Sequence, residues 1–184
     1  MFNVKKLIIL ASCFLVAVFS AIAGTYIDSS TRQASELAKN YVLEDEQGKV
    51  RVLDEMAVVV KNNPDNINVV RIYTSMLTSH RDYKKAINAL SQFSHRRGAS
   101  ELTLQECMLK DRLGDYEPAC YKSAQSVAKR SAHPGVDLLT ILYLTGSKDF
   151  DKEKSRYISI TGDRQVEDYY DMDKDAFLKK LFPD

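Results

Sequence analysis

The sequence lacks most of the residues and motifs on which enzymes and metal sites depend. It has no tryptophan, three histidines, three cysteines and seven glycines in 184 residues. We predict that His80, His95 and His133 lie near helix ends or turns, and none has a second ligand at metal-binding spacing. No HExxH, CxxC, GxSxG, P-loop or dinucleotide-binding motif occurs. The sequence therefore predicts no catalytic residue, no metal site, no cofactor and no enzyme.

An excess of charge of one sign is also missing. The chain has 26 lysines and arginines against 25 aspartates and glutamates, a formal net charge of +1. A general nucleic-acid-binding protein carries a basic excess, because it must neutralise the phosphate backbone. We therefore exclude DNA and RNA as partners.

An acidic stretch near the C-terminus, residues 171–175, superficially resembles a calcium-binding loop. An EF-hand loop requires glycine at its sixth position and a carboxylate at its twelfth. Ala176 and Phe182 occupy those positions, so we reject a calcium site. Instead we predict that Asp171 or Asp173 caps a last helix that ends at about Leu181.

The one long apolar run lies at the N-terminus and predicts export. Residues 1–27 contain Lys5 and Lys6 and no acid, and an apolar run occupies residues 7–19. The small residues at 21–23, Ala-Ile-Ala, then fit the cleavage site of a secretory signal peptide. We predict that residues 1–27 are a signal peptide or a single membrane anchor.

Three alternatives remain open for this segment. If the apolar run extends through Ile27, it is long enough to span a bilayer as an uncleaved anchor, with the two lysines on the cytoplasmic side. Residues 10–13, which end at Cys13, also resemble the lipobox of bacterial lipoproteins. Cleaved, anchored or lipidated, residues 28–184 would lie in the periplasm or on the inner membrane facing it.

Beyond residue 27, apolar residues recur at helical spacing, and no strand-like alternation of useful length occurs. The pattern predicts a first helix, capped by Ser29 or Ser30, through about Val42. It predicts a second over residues 50–62, separated from the first by Gly48. Residues 63–66, Asn-Pro-Asp-Asn, then end the second helix. The sequence therefore predicts an all-α chain.

A pair formed by aspartate and a following aromatic residue recurs along the chain. The pairs begin at residues 82, 115 and 149, which gives a period of 33 to 34 residues. Such a period is typical of repeated helical hairpins. The positions that carry the repeat are Asp82, Tyr83, Ala86, Gly114, Asp115, Tyr116, Ala119 and Phe150.

The proline at position 118 is explained by the same repeat. We predict that Asp115 is the N-cap of a helix and that Pro118 lies in its first turn, where a missing N–H costs nothing. Proline then marks the start of a helix and does not interrupt one.

Residues 113–119, LGDYEPA, resemble the turn and second-helix opening of the tetratricopeptide repeat family, and the Asn-Pro-Asp-Asn at 63–66 is similar to its inter-repeat signal. The resemblance implies a right-handed stack of helical hairpins, a TPR-like α-solenoid. Its units would lie at about 29–66, 67–99, 100–133 and 134–162. The implied organisation is an N-terminal segment 1–27, repeats over 28–162 and a C-terminal capping helix or tail over 163–184.

Two departures from the family pattern leave an alternative open. The helix expected over residues 101–112 is poor in the family's large residues, and Glu153 stands where the other units have Ala86 and Ala119. The alternative to a repeat stack is an irregular helical bundle.

The resemblance also implies a disulfide. Cys107 and Cys120 would lie on the two helices of one hairpin, where small residues face each other in the family's geometry. In an oxidising compartment we predict that they form a disulfide; the alternative is a pair of buried free thiols.

The resemblance implies a candidate protein-binding groove on the concave face of the stack. Such a groove would accept an amphipathic helix, or an extended segment with an acidic anchor at Arg71. The predicted groove residues are Asn68, Arg71, Ser75, Thr78, Leu104, Met108, Asp111, Leu138 and Leu142. The last two are alternatively core residues.

The C-terminal segment carries several large apolar residues and has two possible roles. End repeats need a cap over their outer face, and we predict that residues 163–184 supply it. The alternative is a segment that docks into a partner.

These observations predict a non-enzymatic protein–protein interaction module in a bacterial cell envelope. We expect a scaffold or adaptor for a secretion system, a pilus or another envelope assembly, with protein partners and no small-molecule substrate. Contact with the membrane would involve the N-terminal segment alone. The alternative function is a periplasmic immunity or inhibitor protein that neutralises a toxin or an enzyme.

Overall fold

The computed structural model describes residues 27–97, 100–130 and 135–184, apart from the side chains of residues 94–97, 100 and 101. All regular secondary structure in these residues is α-helical, so the predicted all-α class is confirmed. Residues 1–26 of the predicted N-terminal segment, which include Cys13, and His133 lie outside the described residues. The helices are α1 Ser29–Leu43, α2 Glu46–Asn62, α3 Ile67–Ser79, α4 Tyr83–Arg97, α5 Ser100–Arg112, α6 Pro118–Ala128, α7 Val136–Leu144, α8 Phe150–Thr161, α9 Gln165–Tyr169 and α10 Lys174–Leu181.

Helices that are neighbours in the chain pack against each other. Four pairs follow in order, α1 with α2, α3 with α4, α5 with α6 and α7 with α8, and the second helix of each pair packs on the first helix of the next. Two first helices also pack on a first helix of the following pair, α1 on α3 and α5 on α7. Each predicted unit therefore contains two helices. None of the helices described here combines the length and apolarity needed to cross a bilayer.

The first and third helices begin at side-chain caps that are hydrogen-bonded to each other. Asp28 caps α1 by accepting from the Thr31 N–H at 2.8 Å, and Asn66 caps α3. Asn66 Nδ2 also donates to Asp28 Oδ1 at 3.0 Å, so the two caps share one hydrogen-bonded cluster. These bonds hold the pKa of Asp28 below its ordinary value of 3.8, with the Thr31 hydroxyl as the largest cause. The cluster fixes the starts of α1 and α3 side by side.

Two predicted boundaries at this end were wrong. The cap of α1 is Asp28, not Ser29 or Ser30, since the aspartate oxygen reaches the free N–H groups of the first turn. Gly48 does not separate the first two helices either. It lies inside the first turn of α2, where its N–H donates to the N-cap Asp45 at 2.8 Å.

The turn within three of the four hairpins has the same geometry. After α5, the Gly114 N–H donates to the Asp111 carbonyl and the Asp115 N–H to the Lys110 carbonyl, each at 2.9 Å, which is a Schellman motif. Its left-handed residue is Gly114, with φ of +86°. Corresponding motifs have Arg81 at φ +62° and Gly146 at φ +60° as the left-handed residue.

The predicted role of Asp115 was wrong, and with it the placement of Tyr116 and Ala119. Pro118 is the first residue of α6, as a proline without an N–H should be, and Glu117 before it is extended. A residue before proline disfavours the helical conformation, so α6 cannot start at residue 116. Tyr116 is therefore outside the helix and Ala119 is exposed, whereas Tyr83 and Ala86 in α4 are buried.

The other two aspartate–aromatic pairs do begin helices. Asp82 directly precedes α4, and its carboxylate accepts from the Lys85 N–H at 3.4 Å. Asp149 directly precedes α8, whose first residue is the half-buried Phe150. The repeat in the sequence thus corresponds to helix starts in two of its three occurrences.

The buried apolar side chains form two clusters. The first comes from α1 to α5 together with Phe182, and includes Met56, Leu77 and Leu90. The second comes from α5 to α10, and its largest fully buried side chains include Tyr121 and Phe177. Met108 and Leu181 pack against both clusters, so α5 and the end of α10 join them.

The C-terminal segment packs on the last hairpin and then crosses back to α5. Asp173 caps α10 by accepting from the Ala176 N–H at 2.8 Å, which selects one of the two predicted caps. Tyr170 stacks on Phe177 at 5.6 Å between ring centroids, and its hydroxyl lies 2.7 Å from Thr140 Oγ1 of α7. Burial raises the pKa of Tyr170 to about 12. The segment thus covers α7 and α8 and reaches well beyond them.

Candidate protein-binding face

The predicted groove residues of the second unit share one side of α3. Asn68, Arg71 and Thr78 are half-buried and Ser75 is exposed, at spacings of three and four that place them on one helical face. Arg71 Nη1 donates to Asn68 Oδ1 at 2.7 Å, which directs the guanidinium along the helix. This side of α3 is accessible from solvent.

Arg71 and Ser75 line a cavity of about 560 Å³, which we call the α1–α3 groove. Lys49 in the first turns of α2 also lines it. The wall on the α1 side is apolar at the end of the helix, where Val42 is 75% exposed. The remaining lining residues are Ala38, Tyr41, Ile72, Met76 and Ser79.

The charged side chains that line the α1–α3 groove are basic. Lys49 Nζ lies 2.7 Å from Glu46 Oε1 and 5.9 Å from the centre of the Tyr41 ring. The hydrogen bond that Lys49 donates to the Glu46 carboxylate is the largest cause that raises the pKa of Lys49, and burial raises the pKa of Tyr41. At neutral pH the lysine is therefore a cation beside a neutral phenol.

Sequence reasoning missed the α1 side of this groove. The predicted groove residues included none from the unit at residues 29–66. The signal in the sequence was a pair of large apolar residues, Val42 and Leu43, at the end of a predicted helix. In the structure these two residues are 75% and 84% exposed. Large apolar side chains at that exposure, next to a cavity, point to a contact surface.

The groove positions predicted on α5 are not open to a partner, because α10 packs against α5. Leu104 is 4% exposed and belongs to the same buried cluster as Phe177 and Leu178 of α10. Met108 is half-buried between the two clusters. The chain's own C-terminal helix thus occupies the place that the sequence assigned to a ligand.

Asp111, the third predicted position on α5, is bound by groups of this chain. Its Oδ2 accepts from the Tyr121 hydroxyl at 2.8 Å and lies 2.7 Å from Lys174 Nζ at the start of α10. Lys174 Nζ also lies 4.0 Å from the centre of the Tyr116 ring. Burial is the largest cause that raises the pKa of Tyr121, and Asp111 adds to it. The carboxylate therefore anchors the first turn of α10.

Arg112 holds the other end of the C-terminal helix. Its Nε donates to the Phe182 carbonyl at 2.8 Å and its Nη2 pairs with Asp184. The Tyr83 hydroxyl donates to the Pro183 carbonyl, and its ring meets Phe182 edge-on at 6.0 Å. The pKa of Asp184 is held below its ordinary value by the hydrogen bond from Arg112.

On α7, Leu142 is 4% exposed and Leu138 is half-buried. Leu142 is a core residue, which was the alternative considered for this pair. The predicted groove from α3 to α7 is therefore not continuous, because its positions on α5 and α7 are covered or buried. The accessible part lies between α1 and α3.

The cysteine pair behaves as the sequence predicted. Cys107 on α5 and Cys120 on α6 have their Sγ atoms 2.01 Å apart and their Cα atoms 5.7 Å apart, which is a disulfide. The bond links α5, against which α10 packs, to α6.

Among the residues that the structure describes, no group of three or more His, Cys, Asp or Glu side chains could hold a metal ion. His80 is the C-cap of α3 and its ring lies 6.3 Å from that of Tyr41. The side chain of His95 lies outside the described part.

Fold and site together define an all-helical protein of successive helical hairpins, with an open groove at one end and its own C-terminal helix at the other. Comparison with protein-family models gives no match, and neither the curated proteins nor the solved structures give a significant one.

Proposed function

We propose that this protein is a non-enzymatic, TPR-like module that binds another protein through its α1–α3 groove, as a scaffold or adaptor in a bacterial cell envelope. The observation that carries the proposal is the groove itself, an open cavity of about 560 Å³ with a mixed apolar and basic lining. Clefts between helices that combine apolar walls with a few polar anchors are typical binding sites.

The packing of α10 supports a helix as the bound element. In this chain a short amphipathic helix already lies against α5, with its apolar side buried and its two ends held by Asp111 and Arg112. Helix-in-groove recognition uses the same arrangement between two chains. The first-helix face of this hairpin stack is therefore suited to accept helices.

Two further observations favour the envelope as the place of action. The N-terminal sequence has the charge and apolar pattern of a secretory leader or anchor. The cysteines of one hairpin lie at disulfide distance, and disulfides persist in oxidising compartments. The proposal places residues 28–184 in the periplasm or on the inner membrane facing it.

Site-specific photo-crosslinking in the native envelope tests this proposal. A photoreactive residue replaces Ser75, which is exposed in the groove, or Ser123, which is exposed on α6, as the matched control. We expect a discrete crosslinked partner from position 75 and not from position 123. Equal crosslinking at both positions, or none at position 75, would overturn it.

The identity of the crosslinked partner separates the two functions. Components of one envelope assembly support the adaptor, whereas a single toxin or enzyme, inhibited when the purified chain is added, supports the inhibitor.

A further inference from the structure

We propose that a second cavity of this protein binds a small carboxylate with an apolar body. The cavity is lined by Val70 and Tyr73 of α3, together with residues of α2, α4 and the turn before α3, and we call it the α2–α4 cavity. It shares no lining residue with the α1–α3 groove, so the inference goes beyond the proposed function. The ligand is bound and not chemically changed, which adds a site and no enzyme activity.

The packing of the helices produces this cavity. α2 and α4 are the second helices of successive hairpins, and each packs far more extensively on α3 than on the other. The space that they border has a volume of about 470 Å³. Sites for small ligands have volumes of about 300–1,000 Å³ and are usually largely preformed. The cavity is therefore large enough for a small molecule.

Apolar and aromatic side chains line the part of the cavity that would hold the body of the ligand. Val70 and Phe93 are buried, at 2% and 3% exposed, and form its deepest lining. Val60 of α2 and Ala89 of α4 are half-buried beside them, and the half-buried Tyr73 adds a second aromatic ring. Aromatic rings pack favourably on one another. A phenyl group or a short aliphatic chain therefore suits this lining.

The charged side chains that line the α2–α4 cavity are basic. Lys61 lies in the last turn of α2 and Lys85 in the first turn of α4, and none of the described lining residues is acidic. Asp82, outside the lining, pairs with Lys85 at 2.8 Å. Lys61 is exposed and forms no ion pair with the described residues. Lys61 is therefore the cation that binds an incoming carboxylate.

Tyr73 supplies a neutral hydrogen-bond donor to the same cavity. Burial is the largest cause that raises the pKa of Tyr73; Lys85 lowers that pKa, and Asp82 and Asp54, both outside the lining, raise it further. The hydroxyl is therefore protonated at neutral pH. A phenol can donate to a carboxylate, and such a charge-assisted bond is short and strong. An apolar lining, one donor and one available cation together favour a carboxylate over a neutral or cationic ligand.

Three matched small molecules test the inference on the full chain. The probes are phenylbutyrate, the neutral phenylbutanol and the cationic phenylbutylamine, which share one body and differ in the head group. We expect phenylbutyrate to bind with a Kd on the order of 1 mM, since a ligand of this size makes few contacts. We expect it to bind about fivefold more tightly than the alcohol or the amine, because only the carboxylate pairs with the lysine. Titrations followed by saturation-transfer NMR measure all three affinities.

Three substitutions then locate the binding. Lys61→Gln, at an exposed position, should weaken the binding of phenylbutyrate about fivefold and leave that of the alcohol unchanged. Ala89→Phe fills the cavity and should weaken the binding of all three probes. Lys39→Gln is the matched control, because Lys39 lies on α1 outside the cavity and pairs there with Glu36, and it should change no affinity. Thermal melting verifies that each variant is folded.

The outcomes test the site and the class of ligand separately. Equal affinity for the three probes, or an affinity for phenylbutyrate that Lys61→Gln leaves unchanged, would overturn the anionic ligand. No binding by any probe, or binding that persists unchanged in a folded Ala89→Phe variant, would overturn the site. The proposed function is tested independently, because crosslinking at Ser75 reports on a different surface and needs no added ligand.

Discussion

At the scale of single residues, the backbone conformation of Gly114 sets the turn between α5 and α6. Its φ of +86° is in the left-handed region, and a Cβ added there would meet no atom within 4 Å. The cost of a side chain at this position is therefore conformational and not steric.

We expect Gly114→Ala to lower the free energy of unfolding by about 1–2 kcal/mol, the usual cost of the left-handed conformation for a residue with a Cβ. Arg81 occupies the same place in the preceding turn at φ +62°. Arg81→Gly should give a change of less than about 1 kcal/mol, because relief of strain is offset by the added flexibility of the unfolded chain. Urea denaturation measures the free energy of unfolding of both variants. An unchanged value for Gly114→Ala would contradict the conformational role assigned to Gly114.

A second prediction at this scale concerns the pH dependence of the Asp28 cap. The pKa of Asp28 is lower in the folded chain than its ordinary value of 3.8. A lowered folded-state pKa means that the carboxylate stabilises the fold above the unfolded-state pKa, and that this contribution is lost as the pH falls through the folded-state pKa.

We therefore expect Asp28→Asn to be less stable than the unchanged chain at pH 7 by a modest amount, since asparagine is also a good N-cap. The difference should vanish on acidification below the lowered pKa. Asp115→Asn, which alters an exposed carboxylate outside the helix caps, is the control. Melting temperatures from pH 7 to 2.5 measure the effect, and a difference that is constant with pH would count against it.

At the scale of elements, local chemistry decided which boundaries the sequence could predict. The turn at Asn63 to Asn66 was predictable because proline and asparagine leave the chain few alternatives, and Asn66 caps α3 as its type suggests. The start of α6 was not predictable, because Asp115 could either cap a helix or complete the turn after α5. Its N–H completes the turn after α5, while Pro118 holds Glu117 extended and delays the helix.

The disulfide gives the prediction that belongs to the α5–α6 hairpin. Its two cysteines are 13 residues apart, and closing a loop of that size stabilises by about 3 kcal/mol in the chain-entropy account. We expect reduction, or the double change Cys107→Ala with Cys120→Ala, to lower the free energy of unfolding by about that amount.

The reducing agent provides the internal control for this prediction. It should destabilise the unchanged chain and have no effect on the double variant, as followed by urea unfolding. If reduction leaves the unchanged chain as stable as before, the crosslink contributes nothing measurable.

At the scale of the whole molecule, the C-terminal segment explains why the candidate site differs from the one expected. The sequence predicted the last helix from an aspartate N-cap, Asp171 or Asp173, and Asp173 is the cap that the structure selects. Its destination depends on contacts between residues 70 or more positions apart, such as Arg112 with Phe182, which no local pattern encodes. A groove on α5 was therefore a reasonable expectation from a local sequence match, but α10 covers that face of α5.

The same contacts predict that the C-terminal segment couples the two halves of the protein. Phe182 belongs to the first buried cluster and is 7% exposed, while Phe177, five residues earlier, belongs to the second. We expect Phe182→Ala to destabilise the chain by about 3–5 kcal/mol and, in hydrogen exchange followed by mass spectrometry, to raise exchange in α4 and α5 as well as in α10. Lys179→Ala, an exposed change in the same helix, should alter neither. If exchange rises only within residues 163–184, the segment is a local cap on the last hairpin, and the two clusters are held together by α5 alone.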